Sequence, residues 1–381
     1  MRRWSAFLAA AAAVLGAFAA LTPVAYARAA DGPSLFDRGN QAVFVQTDTT
    51  TGNTVVAYSR AADGSLTAAG AYATGGLGGV LSGSVVDHLA SQGSLVYDRE
   101  HALLYAVNAG SNTVSVFSVR GDRLSLNQVV SSGGTFPVSV AVHDDVVYVL
   151  NAENGGAVQG YHVLFDHLIA LPGSNRPLGL NPAATPQFTN TPGQVAFSPD
   201  GSQLIVTTKA NGNDIDVFGV GFFGLLSSTP VVNSEPGTVP FAVSFDRAGH
   251  LVVAEAGTNA LASFRLNADR TLTQLAAVPT GQAATCWVAP AGGWFYASNA
   301  GSGSVSSFQS GFAGQLTLLG ATATDPGTVD ASASPDGRFL YVQTGASGIV
   351  DEFQVDADGS LTEIGTVAVP GAVGGEGIVA S

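Results

Sequence analysis

A short unit of alternating polar and apolar positions recurs along most of the chain. In each copy an apolar strand ends in a small turn, a second strand follows, and a third strand ends in an aromatic residue. The segment Asn-Thr-Val-Ser-Val-Phe at residues 112–117 has the period of two that is typical of a half-buried strand. Outside the N-terminal segment no long stretch has helical periodicity, so the pattern predicts an all-β protein.

The aromatic residue that closes the unit occurs seven times. Its copies are Tyr58, Phe117, Tyr161, Phe218, Phe264, Phe308 and Phe353. They are 59, 44, 57, 46, 44 and 45 residues apart, and the short intervals match a propeller blade of four strands. The two long intervals contain insertions near residues 75–92 and 171–191. The spacing predicts a single seven-bladed β-propeller over residues 41–381.

The two ends of this region predict how the ring closes. The first unit begins directly with a second-strand sequence at residues 41–47 and lacks a first strand. The C-terminal residues 375–381 resemble a first strand of another unit, residues 193–198. We therefore expect the C-terminal strand to complete blade one, which would remove the exposed strand edges that favour aggregation.

The first 27 residues have the features of a secretory signal peptide. Arg2 and Arg3 precede an apolar run, and a small-x-small site, Ala-Tyr-Ala, ends at residue 27. A transmembrane anchor is the alternative, although the run is barely long enough to span a bilayer. We expect cleavage, a short leader over residues 28–40, and release of the protein outside the cell.

Charge and composition narrow the range of partners. Charged residues make up only 11% of the chain, Lys209 is the only lysine, and the formal net charge is −14. This balance argues against nucleic acid and anionic membranes, which require clustered Lys and Arg. The single cysteine, Cys286, cannot form an internal disulfide and is expected to be a small buried hydrophobe. No metal-ligand spacing is present, and we expect a monomer without metal or cofactor that binds a small molecule.

The candidate functional residues lie near one end of the predicted central channel. Both insertions fall in connections between blades, on the face that also carries the loops between second and third strands, so we expect the functional face there. The polar side chains that the repeat places near this mouth are Glu153, Gln194, Lys209, Glu255, Thr285, Asp330 and Glu376, with His88 in the first insertion. The alternative for each carboxylate is a solvated loop residue or a partner of backbone amides.

One stretch of the chain resembles a motif of the seven-bladed propeller lactonases. That motif is a Gly-Pro-Arg-His segment that opens an inner strand, followed by a strand ending in Val-Asn-Glu. The matching residues are Val-Pro-Phe-Ala at 239–242 and Val-Val-Ala-Glu-Ala at 252–256, so Glu255 keeps the glutamate while Phe241 and Ala242 replace arginine and histidine. The similarity extends over residues 42–381 and looks even closer to secreted actinobacterial propellers labelled lactonase-like. The family includes bacterial 6-phosphogluconolactonases and fungal carboxymuconate cyclases.

The resemblance implies hydrolysis or formation of a lactone ring. It makes Glu255 the expected base, and Asp330 is the second expected catalytic carboxylate. Because Glu255, Asp330 and Glu376 are expected at the same channel mouth, their like charges should raise the pKa of one of the three carboxyls. The expected substrate-binding residues are Gln194, Thr285, Lys209, Glu153, Glu376 and His88. Because a sugar phosphate requires clustered cations, a neutral or apolar lactone fits better. The competing hypothesis is a propeller without catalysis that binds a small ligand, glycan or protein, and the loss of the family arginine and histidine favours it.

Overall fold

The computed structural model describes residues 41–381. Their strands form seven antiparallel sheets, which are the blades of a β-propeller as the repeat predicts. Helical structure in this part of the chain consists of α1 (Gln187–Asn190) and two short 3-10 helices, at Ala109–Ser111 and Phe222–Gly224. The predicted signal peptide and the leader at residues 28–40 lie outside the described residues. No helix between residues 41 and 381 is long and apolar enough to span a membrane.

The blades are numbered along the chain, and their strands are as follows. Blade one contains β1 (Ala42–Gln46), β2 (Thr54–Arg60), β3 (Leu66–Ala73) and, from the other end of the chain, β29 (Ile378–Ala380). Blade two contains β4 (Leu95–Asp98), β5 (Leu103–Asn108), β6 (Thr113–Arg120) and β7 (Arg123–Ser131). Blade three contains β8 (Pro137–His143), β9 (Val146–Asn151), β10 (Ala157–Leu164), β11 (His167–Ala170) and β12 (Arg176–Pro177).

The remaining four blades each have four strands. Blade four contains β13 (Val195–Phe197), β14 (Gln203–Thr207), β15 (Asp214–Gly219) and β16 (Val231–Ser234). Blade five contains β17 (Pro240–Phe245), β18 (Leu251–Glu255), β19 (Ala260–Leu266) and β20 (Leu272–Pro279). Blade six contains β21 (Thr285–Ala291), β22 (Trp294–Asn299), β23 (Ser304–Ser310) and β24 (Leu316–Ala323). Blade seven contains β25 (Thr328–Ala333), β26 (Phe339–Thr344), β27 (Ile349–Val355) and β28 (Leu361–Ala368).

The seven repeated aromatic residues form part of the core between blades. Each lies on the third strand of its blade and is at most 1% exposed. The two tyrosines among them also bond to the preceding blade: Tyr58 donates to the carbonyl of Ala368 at 2.8 Å, and Tyr161 donates to the carbonyl of Ser131 at 2.6 Å. The aromatic residue therefore recurs in every blade at the position where neighbouring blades pack against each other.

Tyrosines on three second strands link a blade to another blade in the same way. Tyr341 of blade seven donates to the carbonyl of Gly64 in blade one at 2.8 Å, and Tyr148 and Tyr296 make equivalent bonds to glycine carbonyls. Gly64 has a φ of +91°, and a Cβ at this position would lie 2.3 Å from a ring carbon of Phe339. This turn therefore requires glycine both for its backbone conformation and for the close approach of the ring.

The C-terminal strand closes the ring, as the sequence predicts. Strand β29 pairs antiparallel with β1, with Val43 opposite Ala380 and Val45 opposite Ile378. The amide of Ser381 donates to the carbonyl of Ala42 at 2.9 Å, which continues the ladder beyond the strand. Blade one is thus built from both ends of the propeller.

Removing residues 374–381 should unfold or severely destabilise the protein. The deletion leaves blade one without its inner strand and exposes the edge of β1 to pairing with other chains. We expect insoluble protein or a large fall in Tm, measured by calorimetry. A control with these residues intact and a flexible Gly-Ser tail after Ser381 should melt like the parent. A truncated protein with the parent Tm would contradict the closure of the ring by β29.

Candidate functional site

The first insertion lies across one end of the central channel. We call residues 87–92 the channel strap. In sequence the strap lies in the connection between blades one and two, but it contacts blade six. The Ser91 carbonyl accepts a hydrogen bond from Trp287 Nε1 of that blade at 2.6 Å. The side chain of Gln92 bonds both the amide and the carbonyl of Val288, at 2.9 and 3.0 Å. Because inner strands line the channel of a propeller, these bonds place the strap across the channel mouth.

The only lysine of the chain joins the two insertions. Lys209, after the end of β14, is fully buried, and its Nζ donates to the carbonyl of Ala90 in the strap at 2.5 Å. It also donates to the carbonyl of Phe188 in α1, within the second insertion, at 2.7 Å. An ammonium has three N–H groups, so these two bonds leave one free for another acceptor.

Four carboxylates are buried beneath or within the strap. They are Asp48, Asp87, Asp330 and Glu376. Asp87 accepts hydrogen bonds from the backbone amides of Leu89 and Ser91, at 2.8 and 3.0 Å, and thereby fixes the conformation of the strap. The backbone amides of Gly93 and Ile378 donate to Glu376 and Asp330, at 3.1 and 3.4 Å. The amide of Glu376 donates to Asp48 Oδ2 at 2.9 Å, and a side-chain hydrogen bond links Glu376 to Asp330. The hydroxyl of Ser91, whose amide bonds Asp87, donates to Glu376 at 3.4 Å, so the four groups belong to one connected network.

Burial shifts the pKa of every member of this network. Burial raises the pKa of Asp48 to about 8 and that of Asp330 to about 7. The pKa of Glu376 is raised well above its ordinary value, first by burial and then by the charges of Asp330, Asp87 and Asp48. The pKa of Asp87 is raised only to about 6, because backbone hydrogen bonds and the charge of Lys209 oppose the effect of burial. Within residues 41–381 no group of three or more His, Cys, Asp or Glu side chains is arranged to hold a metal ion.

A cavity of about 170 Å³ lies beside the strap on the same face. Its wall is mostly apolar and includes Val86, Phe188, Val239, Phe241, Ala256 and Trp287. The rings of Phe241 and Trp287 meet edge to face with centroids 5.0 Å apart. Four polar or ionisable residues also line it, Asp87, Thr189, Lys209 and Cys286. Phe241 is the residue that replaces the family arginine, so the substitution removes a charge from this wall and adds apolar surface.

The polar groups of the cavity differ in chemical state. Burial lowers the pKa of Lys209 to about 7, although the charge of Asp87 acts in the opposite direction. The Lys209 Nζ lies 5.2 Å from the centroid of the Phe241 ring, which is within the range of a cation–π interaction. Burial raises the pKa of Cys286 to about 12, so the thiol is protonated at neutral pH and is a poor nucleophile.

The structure brings some of the predicted site residues together and separates others. Asp330 and Glu376 belong to the carboxylate network, and Lys209 lines the cavity. Gln194 and Thr285 instead form structural bonds: Gln194 Oε1 accepts the Val243 amide of the next blade at 2.6 Å. The hydroxyl of Thr285 donates to a buried asparagine side chain at 2.7 Å.

Glu255 lies at the end of β18, and its neighbour Ala256 lines the cavity, but its own side chain is not part of the cavity wall. Its Oε2 accepts a hydrogen bond from Thr258 at 2.9 Å, and its Oε1 is buried without a partner among the described residues. Burial raises its pKa, and the like charge that adds to this shift is Glu235. The like charge of Asp330 therefore acts on Glu376, whose pKa it raises, and not on Glu255. A side-chain hydrogen bond with Glu376 has the opposite effect on Asp330 and lowers its pKa.

Glu153 lies beside the second insertion, whereas His88 belongs to the strap itself. Glu153 accepts a hydrogen bond from Gln187 of the second insertion at 3.3 Å and lines a smaller cavity of about 90 Å³. The ring of His88 packs against Gly374, and burial lowers its pKa. Neither side chain lines the larger cavity beside Lys209.

Sequence analysis assigned no role to Asp48, Asp87 or Trp287, although Asp87 adjoins His88 in the first insertion. Asp48 follows the end of β1, which is the blade-one equivalent of the strand ends that carry Glu153 and Glu255, so the repeat contains a signal for it. Asp87 lies in an insertion that has no counterpart in other blades, and Trp287 resembles any apolar residue of an inner strand. Their positions depend on the path of the strap, which the repeat does not determine.

The fold and site define a ring-closed seven-bladed propeller with an apolar cavity and buried charges at one channel mouth. The family model described as "Lactonase, 7-bladed beta-propeller" matches residues 79–374. The chain belongs to this family, as its motif indicated.

Solved structures with the same fold cover nearly the whole propeller. A Bacteroides fragilis protein assigned by name to the 6-phosphogluconolactonases is 20% identical, with a TM-score of 0.70 over 92% of this chain and 99% of that one. The periplasmic gluconolactonase of Pseudomonas aeruginosa is 18% identical, with a TM-score of 0.69 over 89% and 98%. A Lactobacillus plantarum protein is 19% identical, with a TM-score of 0.72 over 90% and 99%. No protein of curated function matches the chain. At these identities the structural matches support the fold.

The buried carboxylates should make the protein less stable as the pH rises. A carboxyl whose pKa is raised in the folded state stabilises the fold below its ordinary pKa, and this contribution is lost as the pH rises through the raised value. For Asp87, Asp330 and Asp48 the raised values are about 6, 7 and 8. We therefore expect the Tm of the parent to fall between pH 5 and pH 8.

Glu376→Gln tests this electrostatic cost directly. The amide keeps the size of the side chain and removes its charge, so the variant should melt roughly 2–6 °C above the parent at pH 8. The difference should shrink as the pH is lowered to 5. Asp358→Asn is the control, because Asp358 is exposed and hydrogen bonds from Ser360 lower its pKa. A parent Tm that is the same at both pH values, with a lower Tm for Glu376→Gln at pH 8, would contradict the assignment.

Proposed function

We propose that this protein hydrolyses a neutral lactone that carries an apolar substituent, and that the reaction takes place in the cavity beside Lys209. Membership of the lactonase propeller family supports the reaction class. The observation that carries the proposal for this site is the composition of the cavity wall, where the ionisable side chains of Asp87 and Lys209 lie in a mostly apolar surface. A small number of polar groups in an apolar cavity is typical of sites that bind and orient a small molecule.

The cavity favours an uncharged substrate. Lys209 is its only basic side chain, and Phe241 stands at the position of the family arginine. A phosphate group would require several cations or donors to replace its hydration, and the surrounding carboxylates would repel it. The edge-to-face pair of Phe241 and Trp287 instead offers apolar surface to an alkyl or aromatic substituent.

Asp87 and Lys209 have the properties that ring opening requires. In the proposed reaction the Asp87 carboxylate takes a proton from water while the water oxygen adds to the lactone carbonyl carbon. The Lys209 ammonium stabilises the negative charge that develops on the carbonyl oxygen. The ring C–O bond then breaks, and the ring oxygen takes the proton from Asp87, which yields the hydroxy acid and restores both groups.

Glu255 is the alternative base in this reaction. It matches the glutamate of the family motif, and the partnerless Oε1 and the raised pKa suit a proton acceptor. Asp87 is the first choice because it lines the cavity and interacts electrostatically with Lys209. The second candidate function is ligand binding without catalysis, which the replacement of the family arginine by Phe241 favours.

Hydrolysis of a lactone panel by matched variants tests the proposal. The panel contains γ- and δ-lactones with alkyl chains of increasing length and 6-phosphogluconolactone, with acid release followed by a pH indicator. The parent should prefer the alkyl lactones. Asp87→Asn should lower kcat/KM by roughly 10²- to 10⁴-fold, the usual contribution of a general base. Glu255→Gln, which also replaces one buried carboxylate by its amide, is the matched control and should stay near the parent rate.

The outcomes of this assay distinguish the hypotheses. A loss of activity in Glu255→Gln, with Asp87→Asn active and folded, would transfer the role of base to Glu255. A parent that hydrolyses no lactone would overturn the proposed reaction. If the same lactones nevertheless raised the Tm of that inactive parent, the non-catalytic binding propeller would be the supported function.

We also propose that residues 1–27 direct export and are then removed. The positive start, the apolar run and the small-residue site at residue 27 support this. N-terminal sequencing of protein from the culture medium should give a sequence that begins at or near Arg28. Recovery of residues 1–27 on the protein, in a membrane fraction, would show an anchor instead.

A further inference from the structure

A second and larger recess lies on the opposite face of the propeller. Turns between first and second strands of blades five, six and seven border it, together with the turn between the third and fourth strands of blade six. Its volume is about 630 Å³, which is within the range of small-molecule binding sites. We call this recess the blade-six groove.

Blade six lacks side chains that another blade has at equivalent turn positions. Blade seven has Pro-Asp-Gly-Arg at residues 335–338, where Asp336 accepts hydrogen bonds from Ser334 and from the amide of Arg338. Blade six has Pro-Ala-Gly-Gly at residues 290–293, without the aspartate and the arginine. A Cβ at Gly293 would meet no atom within 4 Å, so open space lies where blade seven has an arginine.

The turn between the third and fourth strands of blade six also departs from the repeat, but here a large side chain is gained. Blades one, five and seven have Ala-Asp at residues 62–63, 268–269 and 357–358, and each aspartate accepts a bond from a hydroxyl two residues later. Blade six has Phe312 and Ala313 at these positions, and Phe312 is 94% exposed. The turn itself does not need an aromatic residue, because three other blades form it with alanine there.

The walls of the blade-six groove combine aromatic and polar groups. Trp294 also lines it, and the indole is held in place against Gly359, where a Cβ would lie 2.7 Å from the ring. Arg247 and the hydroxyl of Ser310 supply polar groups, and the glycine turn exposes main-chain groups. Asp246 is occupied by His250, at 2.7 Å from its Nδ1.

We propose that the blade-six groove binds a neutral oligosaccharide. Sugar rings present apolar C–H faces that pack on aromatic rings, and their hydroxyl groups bond polar side chains and main-chain groups at the edges. Trp294 and Phe312 provide the aromatic surfaces, and an open recess without side chains at residues 292–293 accommodates a chain of sugar rings. Asp246 and Asp336 both line the groove, and with a net charge of −14 on the whole chain they disfavour an anionic glycan.

Titration with defined tetrasaccharides tests this proposal. Cellotetraose, xylotetraose, maltotetraose and chitotetraose are the neutral probes, and tetragalacturonate is the anionic comparison. Binding is measured by isothermal titration calorimetry and by tryptophan fluorescence, which reports on Trp294 because the only other tryptophan after residue 40, Trp287, is buried. At least one neutral probe should bind with a fluorescence change, and tetragalacturonate should bind more weakly.

Two groove variants and one matched control localise the binding. Phe312→Ala should weaken binding by about tenfold or more, because it removes an exposed ring at no cost to the core. Gly293→Arg inserts the blade-seven side chain into open space and should abolish binding without lowering the Tm. Phe165→Ala is the control, since Phe165 is 87% exposed at the corresponding turn of blade three, and it should bind like the parent.

The proposal is independent of lactone hydrolysis, and its contrary outcomes are distinct. It would be overturned if the parent bound none of the four neutral probes, or if Gly293→Arg bound them unchanged. Equal weakening by Phe165→Ala and Phe312→Ala would also overturn it, because binding would then follow exposed aromatic residues in general.

Discussion

The antiparallel pairing of β29 with β1 is the constraint on which both the fold and the site depend. It joins the two ends of the propeller in one sheet and covers the inner edge of β1, which would otherwise be open to pairing with other chains. The same pairing holds Glu376, two residues before β29, beneath the strap, where its amide bonds Asp48 and its carboxylate bonds the amide of Gly93. The strand that completes the fold thus also brings a charge into the channel mouth.

Burial of these charges opposes stability, and the strap takes part in it, because Asp87 belongs to the strap and Glu376 accepts a hydrogen bond from the hydroxyl of Ser91. Residues 87–92 cover the channel and bond to blades on its far side, while Lys209 joins the strap to the second insertion. Removing ionised groups from water costs free energy, and here it raises the pKa of four carboxyls and lowers that of one ammonium. A cost of this kind at one channel mouth is typical of a functional site, and the apolar cavity lies directly beside it.

The fold could be predicted from the sequence, but only part of the site could. The seven aromatics, the hairpin spacing and the missing first strand are local signals that repeat, and closure follows from them. Asp330 and Glu376 were found because they occupy repeat positions on inner strands. Asp87 and the role of Trp287 were not, because the path of an insertion depends on contacts with distant blades. Phe312 differs from the alanine that three other blades have at the same turn position, but this difference became informative only when the structure showed the ring to be exposed.

The central functional claim is that Asp87 acts as a base while Lys209 carries a proton. The pKa of Asp87 is raised to about 6 and that of Lys209 is lowered to about 7. Asp87 is therefore ionised while Lys209 is still protonated only in a narrow range of pH. The most direct measurement is kcat/KM against pH from 4 to 10 on the best alkyl lactone. The account predicts a bell-shaped profile with apparent pKa values of the pair near 6 and 7. A rate that rises through neutral pH to a plateau above pH 8 would contradict it, because the Lys209 ammonium would then be unnecessary.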